Sequence, residues 1–253
     1  MFLTQFEISP ESRAREIVEN DYRAAEVFKR YDINFCCGIQ WPLEQACEEK
    51  GIGINELVAT LKKTCRTVSI PPQVDYNKWP VGFLIDYITN IHHQYLHAAI
   101  PDLQSAISRF ISKHGIQYPN FNELNDEFSL LVNAVIPHLK HEEETIFPYL
   151  RQVANAYDDR ATDPLAALLV KTLRKPLASL VETEHGIINR SISRFRELTN
   201  NYSIPAGVCS GHRVLLGKLR ELDNDLVQHF YLENEILIGK VIKMEEELLQ
   251  RNS

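Results

Sequence analysis

Between Val135 and Leu150 the chain reads VIPHLKHEEETIFPYL, which sets a histidine and a glutamate, His138 and Glu142, inside an otherwise apolar stripe. Positions four apart span about 400° of α-helix, so both side chains point the same way, one turn apart. Leu131, Val135, His138, Glu142, Ile146 and Leu150 then share one face. A carboxylate on such a face is costly unless something positive meets it. The arrangement recurs in Leu222–Val241, LDNDLVQHFYLENEILIGKV, where His229 and Glu233 share a face with Leu222, Leu226, Ile236 and Leu237. Ion pairs on two solvated helix surfaces would contribute only tenths of a kcal/mol and would need no apolar flanks. Two helices that each turn a His and a Glu inward instead point to a shared metal centre.

The rest of the chain supplies helices to complete such a core. Four long helical patterns run roughly over 81–114, 122–154, 165–200 and 212–251, joined by polar loops. That is the pattern of an antiparallel four-helix bundle. Pro101 is expected to kink or break the first of them. The residues before them form a smaller helical unit. Ser9 and Pro10 open a helical pattern over 9–30, with Ala14, Ile17, Val18, Ala25 and Phe28 at helical spacing. A turn at Tyr31–Gly38, a short helix at Pro42–Lys50 and a third helix at Glu56–Cys65, capped by Asn55, follow. The Pro-Pro pair in TVSIPPQVDYN reads as an extended spacer. The expected division is a small helical domain at 1–68, a linker at 69–78 and the bundle at 79–253, an all-α fold throughout.

Composition narrows the function classes. Net charge is −7 with no basic block, so nucleic acid and anionic membrane are poor partners. No run of about 18 apolar residues is present to span a bilayer. The start of the chain lacks the basic and apolar regions of a signal peptide. Five cysteines without a pairing pattern fit a reducing, cytoplasmic setting better than a disulfide framework.

The other two bundle helices carry histidines as well. His185 lies on a face with Ala178, Val181 and Ile188, and ITNIHHQYLHAAIP offers His92, His93 and His97. Up to four imidazoles and two carboxylates exceed the four ligands of a tetrahedral zinc. Mixed nitrogen and oxygen ligation of this size suits two transition-metal ions with carboxylates between them, iron or manganese before zinc. A helical wheel puts Ile85, Ile88, His92, Tyr95 and Ala99 on the apolar stripe and His93 about 100° away.

The turn YDINFCCG, followed by HHQYLHAAIPDL, HLKHEEETIFP, ETEH and HFYLENEIL, resembles the repair-of-iron-centres family, the di-iron hemerythrin-like proteins of the YtfE, ScdA and DnrN type. The similarity covers nearly the whole chain in the family's domain order. It implies an oxo-bridged di-iron centre with bridging Glu142 and Glu233 and with His138, His185 and His229 as ligands. Family spacing to the Pro of Ile100-Pro101 points to His93, against His92 from the wheel. His97 and His212 read as solvent-facing, His141 as flanking, and His114 as a helix cap or a partner to a ligand. Glu143, Glu144 and Glu184 read as solvated charges beside ligands.

Adjacent cysteines make a strained disulfide, so Cys36 and Cys37 read as free thiols for metal, redox or ligand delivery. In the family this pair marks the small domain. Two departures stand out: Ile39 where a second Gly is common, and Ile238-Gly239 where Phe-Pro often follows the last Glu motif. The resemblance implies repair of iron–sulfur clusters damaged by nitrosative or oxidative stress, with iron donated to apo or damaged iron–sulfur proteins. NO and O2 are the implied small ligands. The alternatives are reduction of NO to N2O and an NO or O2 sensor or carrier. A homodimer is among the assemblies this reading allows.

Overall fold

The computed structural model describes residues 7–35, 41–65, 74–158 and 177–250, with the backbone alone for 177–184. Cys36 and Cys37 lie outside the described residues, as do 165–176 at the expected start of the third bundle helix. The fold is all-α: an antiparallel four-helix bundle preceded by a small helical domain. The described residues contain no strand, only an isolated bridge between Arg13 and Pro42. The chain divides into two compact units, Met1–Pro71 with Tyr202–Arg220, and Pro72–Asn201 with Glu221–Ser253.

The first unit begins with α1 (Ala14–Asn20) and α2 (Ala24–Arg30), where the sequence pattern suggests one helix. Asp21 separates them. Its backbone is extended, and its carboxylate accepts the Arg23 backbone N–H at 3.0 Å and the Arg23 guanidinium at 2.6 Å. An Asp that bonds the backbone two residues on competes with helix propagation, so the apolar period continues while the helix stops. Next comes α3 (Leu43–Lys50), closed by Gly51 at φ 65°, the left-handed cap that glycine adopts without strain. In α4 (Ile54–Thr64) the cap position is Gly53, so Asn55 lies inside the first turn rather than capping it.

Phe28, Leu43, Leu57 and Leu61 are fully buried at the centre of this unit, and Val214 joins their cluster. Residues 202–220, which the sequence pattern places in the later domain, therefore pack with the N-terminal helices. Lys218 Nζ meets Glu26 Oε1 at 2.6 Å. A Cβ on Gly217 would stand 2.7 Å from the Tyr22 ring, so this position needs a glycine. Gly217→Ala is expected to cost about 1–3 kcal/mol through overpacking, read as a lowered midpoint in urea. An unchanged midpoint would show that Tyr22 moves aside freely.

In the second unit, the first bundle helix comprises α5 (Val81–Tyr87), a π-helical segment at Ile88–His93, and α6 (Gln94–His114). The helix runs unbroken through Pro101, where the sequence suggested a break; the irregularity falls upstream. The second comprises α7 (Asn120–His141), a π segment at Glu142–Ile146, and α8 (Phe147–Asp158). The third is α9 (Leu177–Leu198). The fourth comprises α10 (Ser210–Tyr231), which passes from the first unit into the second, a π segment at Leu232–Ile238, and α11 (Gly239–Gln250).

Ile85, Ile88, Ile146, Leu150, Leu237 and Val241 form the core at one end of the bundle. Tyr149 donates to the buried carboxylate of Glu245 within it. Toward the other end, Asn120 Nδ2 donates to the Leu198 carbonyl at 2.8 Å, and Arg196 grips the buried Asp223 at 2.5 and 2.7 Å. These contacts fix helix register on both sides of the polar cluster between them. No described helix is long and apolar enough to cross a membrane.

Candidate metal centre

Three bundle helices change from α to π where they reach the polar cluster. A π turn holds more residues than an α turn, so it shifts which side chains face inward. Its effect is clearest on the first helix. His92 and His93 are neighbours in sequence, yet they are 1 % and 0 % exposed. A regular wheel admits one of them to the core, whereas the π segment at Ile88–His93 admits both. The segments at Glu142–Ile146 and Leu232–Ile238 likewise hold Glu142 and Glu233, both buried.

Six side chains then converge. His93 Nε2 lies 3.2 Å from His229 Nε2, and His138 Nε2 lies 3.2 Å from His185 Nε2. Glu142 Oε2 stands between the pairs, 3.5 Å from His93 Nε2 and 3.4 Å from His138 Nε2. Glu233 offers one oxygen to each pair: Oε1 is 2.5 Å from His229 Nε2, and Oε2 is 3.3 Å from His185 Nε2. Two sets of four donors result, His93/Glu142/His229/Glu233 and His138/Glu142/His185/Glu233, with the ligand atoms of each set within 4.8 Å of one another. Both carboxylates belong to both sets.

This donor chemistry fits cations. Two nitrogens each about 2.0–2.1 Å from a shared ion, at right to tetrahedral angles, stand about 2.9–3.4 Å apart. The imidazole pairs, at 3.2 Å, match that spacing. Both oxygens of Glu233 are fully buried and face imidazole nitrogens, with no backbone donor among the described residues beside them. A carboxylate so placed costs free energy unless a cation lies beside it.

The electrostatics prepare the site further. Burial, reinforced by the facing His229 imidazole, pushes the His93 pKa down to about 4 against the pull of Glu143, so this ring is neutral at pH 7. Burial opposes ionisation of Glu233, but the His229, His185 and His138 imidazoles outweigh it and hold the pKa well below the usual carboxylate value. Neutral imidazole and ionised carboxylate are the forms that bind metal. In the unfolded chain His93 takes a proton near pH 6.5, and in the folded chain only near 4. Protonation therefore favours the unfolded state between these values. The stability of chelator-treated protein is expected to fall as pH drops from 6.5 toward 4, checked by urea melts across that range. A His93→Gln variant should show a shallower fall, and an identical slope would refute the assignment.

Outer contacts aim the rings. His93 Nδ1 is 2.7 Å from Glu143 Oε1, and His185 Nδ1 is 3.2 Å from Asn234 Nδ2. The Glu143 carboxylate, which only accepts, holds the proton on His93 Nδ1 and leaves Nε2 for a metal, while the Asn234 amide orients the His185 ring. Glu143 thus has a role beyond the solvated charge suggested by its sequence neighbourhood. Asn234 had no sequence signal except its position next to Glu233. His92 joins neither donor set; its Nδ1 lies 2.9 Å from Asp225 Oδ1. His97 is exposed, whereas His212 is buried against the expectation for a polar helix start. The side chain of Glu184 and the thiols of Cys36 and Cys37 lie outside the described residues.

A helical bundle converging four imidazoles and two shared carboxylates defines a hemerythrin-type cation-binding protein. The hemerythrin HHE cation-binding domain model matches residues 85–241, and the ScdA_N domain, a domain of unknown function, matches residues 11–64. The chain is 27 % identical over 223 residues to the iron-sulfur cluster repair protein YtfE of Pectobacterium atrosepticum, covering 88 % of this chain and 93 % of that protein. It is 24 % identical over 234 residues to the iron-sulfur cluster repair protein ScdA of Staphylococcus haemolyticus, covering 92 % and 99 %. With YtfE of Escherichia coli O81 it shares 24 % over 220 residues, covering 87 % and 91 %. The chain belongs to the hemerythrin HHE family and, within it, to the repair-of-iron-centres proteins.

Proposed function

We propose that this protein holds an oxo-bridged pair of iron ions on His93, His138, Glu142, His185, His229 and Glu233, and that it donates iron to apo or damaged iron–sulfur proteins in the cytoplasm. The observation that carries this reading is the sharing of Glu142 and Glu233 by both donor sets. A paired iron centre held there would supply one-electron redox chemistry and bind small ligands such as NO or O2. Glu142 and Glu233, common to both donor sets, would hold either ion or both from the same place in the core. Ferrous iron stands low among divalent metals in affinity for nitrogen and oxygen donors, so a reduced centre gives up metal more readily than a zinc or copper site would. The paired imidazoles confine the ions until then.

Two thiols are well suited to accept or relay iron, and we assign that role to Cys36 and Cys37, as suggested by their sequence and the family to which the chain belongs. The double variant Cys36→Ser/Cys37→Ser is expected to keep its iron and to slow transfer at least tenfold. Loss of iron from the purified variant would make the thiols ligands of the centre instead. Unchanged transfer would remove them from the pathway.

The deciding experiment begins with iron content and a Mössbauer spectrum of the purified protein. Two irons per chain with antiferromagnetic coupling would support the pair, whereas a single zinc would sink it. The loaded protein is then mixed with an apo-cluster acceptor. Iron leaving in step with cluster formation supports donation. N2O produced from NO with iron retained would select the reductase alternative, and reversible O2 binding would select the carrier.

A further inference from the structure

One buried histidine takes no part in either donor set, yet it lies against one that does. The His92 ring stacks on the His229 ring with centroids 5.7 Å apart and planes 7° from parallel. On its other side it meets Tyr87 edge-on at 5.7 Å. Tyr87 meets Trp79 at 5.2 Å, and Trp79 meets Phe83 at 4.7 Å, where the aromatic cluster reaches solvent. Phe83 is 50 % exposed, and Trp79 and Tyr87 are partly buried. Centroid spacings of about 4.5–7 Å are those of rings in contact. An unbroken succession of aromatic rings thus runs from the surface to a histidine of the metal centre.

Its chemistry differs from that around the other donors. His93 stacks on Phe147, while His138, His185 and His229 all pack against Phe230. Phe147 and Phe230 are buried, and phenylalanine is far harder to oxidise than tryptophan or tyrosine. The series through His92 links a donor to the surface by way of readily oxidised rings. The hydrogen bond from His92 to Asp225 fixes the imidazole between its two neighbours.

We propose that Trp79, Tyr87 and His92 form an electron path between the surface and the ion held by His229, by which a one-electron reductant meeting the Trp79–Phe83 face reduces that ion. The inference rests on the di-iron reading above. One electron leaves the reductant and one ferric ion becomes ferrous. No bond forms or breaks along the path and no proton moves, because the electron tunnels through rings in contact. Run in reverse, the Trp79 indole radical, having lost its N–H proton to water, takes an electron from a ferrous ion through the same rings and regains a proton from water. Reduction through this path would lower the hold of the site on its iron and so tie release to the supply of electrons.

The reverse direction gives a direct test. The chain has two tryptophans, so a Trp41→Phe background leaves Trp79 as the one indole. Anaerobic protein is loaded with ferrous iron or with redox-silent zinc, and metal content is measured on each sample. Azide radicals from pulse radiolysis then oxidise the indole, and its radical is followed optically. Decay is expected to be at least tenfold faster with iron than with zinc, with ferric absorption rising in step. Tyr87→Leu, with unchanged metal content, should slow the iron-dependent decay at least tenfold. Equal decay in the iron and zinc forms, or an unaffected Tyr87→Leu protein, would overturn the path while leaving the di-iron reading intact. Failure to load iron would overturn both.

Discussion

Glu233→Leu is expected to strip the chain of both proposed metal ions and yet leave the metal-free protein at least as stable as the parent. The first half follows from sharing. Glu233 belongs to both donor sets, with one oxygen directed to each imidazole pair, so its loss weakens two sites at once. The second half follows from what the carboxylate costs without metal. It is fully buried, and without metal its charge is balanced only by the surrounding imidazoles, His229 Nε2 lying 2.5 Å away. Replacing a buried ionic arrangement by a well-packed apolar side chain is commonly neutral or stabilising, by about 1–4 kcal/mol. No charge is stranded, because an imidazole can discard its proton. Metal reverses the order: a ligand at 100 times its dissociation constant stabilises the folded state by about 2.7 kcal/mol per site. In chelator the variant should therefore melt level with the parent or above it, and in excess ferrous iron well below it. Metal analysis and paired thermal melts check both halves. A variant that keeps both ions, or that melts several degrees lower in chelator, would contradict this account of the site.

What could be read from the sequence followed the regular parts of the helices. The stripes through His138 and Glu142, and through His229 and Glu233, are buried along their whole length, because a carboxylate four residues from a histidine stays in phase with the core over one turn. His185 is likewise buried. The phase changes were not legible. A wheel with a fixed angle per residue cannot place His92 and His93 together, and no local residue pattern announced the π segment that does so. Pro101 was the visible breaker, but the helix accommodates it. At Asp21 the apolar period continued through a break, since the competing interaction is a side chain bonding to backbone. Glu143 and Asn234 were missed because their roles depend on which ring nitrogen lies opposite, a tertiary fact that spacing along one helix does not contain.

The two adjacent histidines permit a sharper test of that phase change. On the proposed di-iron reading, His93→Ala is expected to reduce iron from two per chain to about one, while His92→Phe should leave it at two. His93 supplies the one imidazole that pairs with His229, and its loss leaves that ion a single nitrogen donor. The set His138/Glu142/His185/Glu233 keeps all four donors. A lone ferric ion has no partner to cancel its spin, so the change should also appear as a new high-spin signal in electron paramagnetic resonance. His92→Phe removes no donor and preserves a flat ring between Tyr87 and His229. Its cost is the hydrogen bond to Asp225, about 1–2 kcal/mol of stability for a partly buried carboxylate left unmatched. If the outcomes were exchanged, with His92→Phe losing iron and His93→Ala keeping it, the inward rotation at Ile88–His93 would be wrong. The bundle would then bind metal on the face that a regular helix presents.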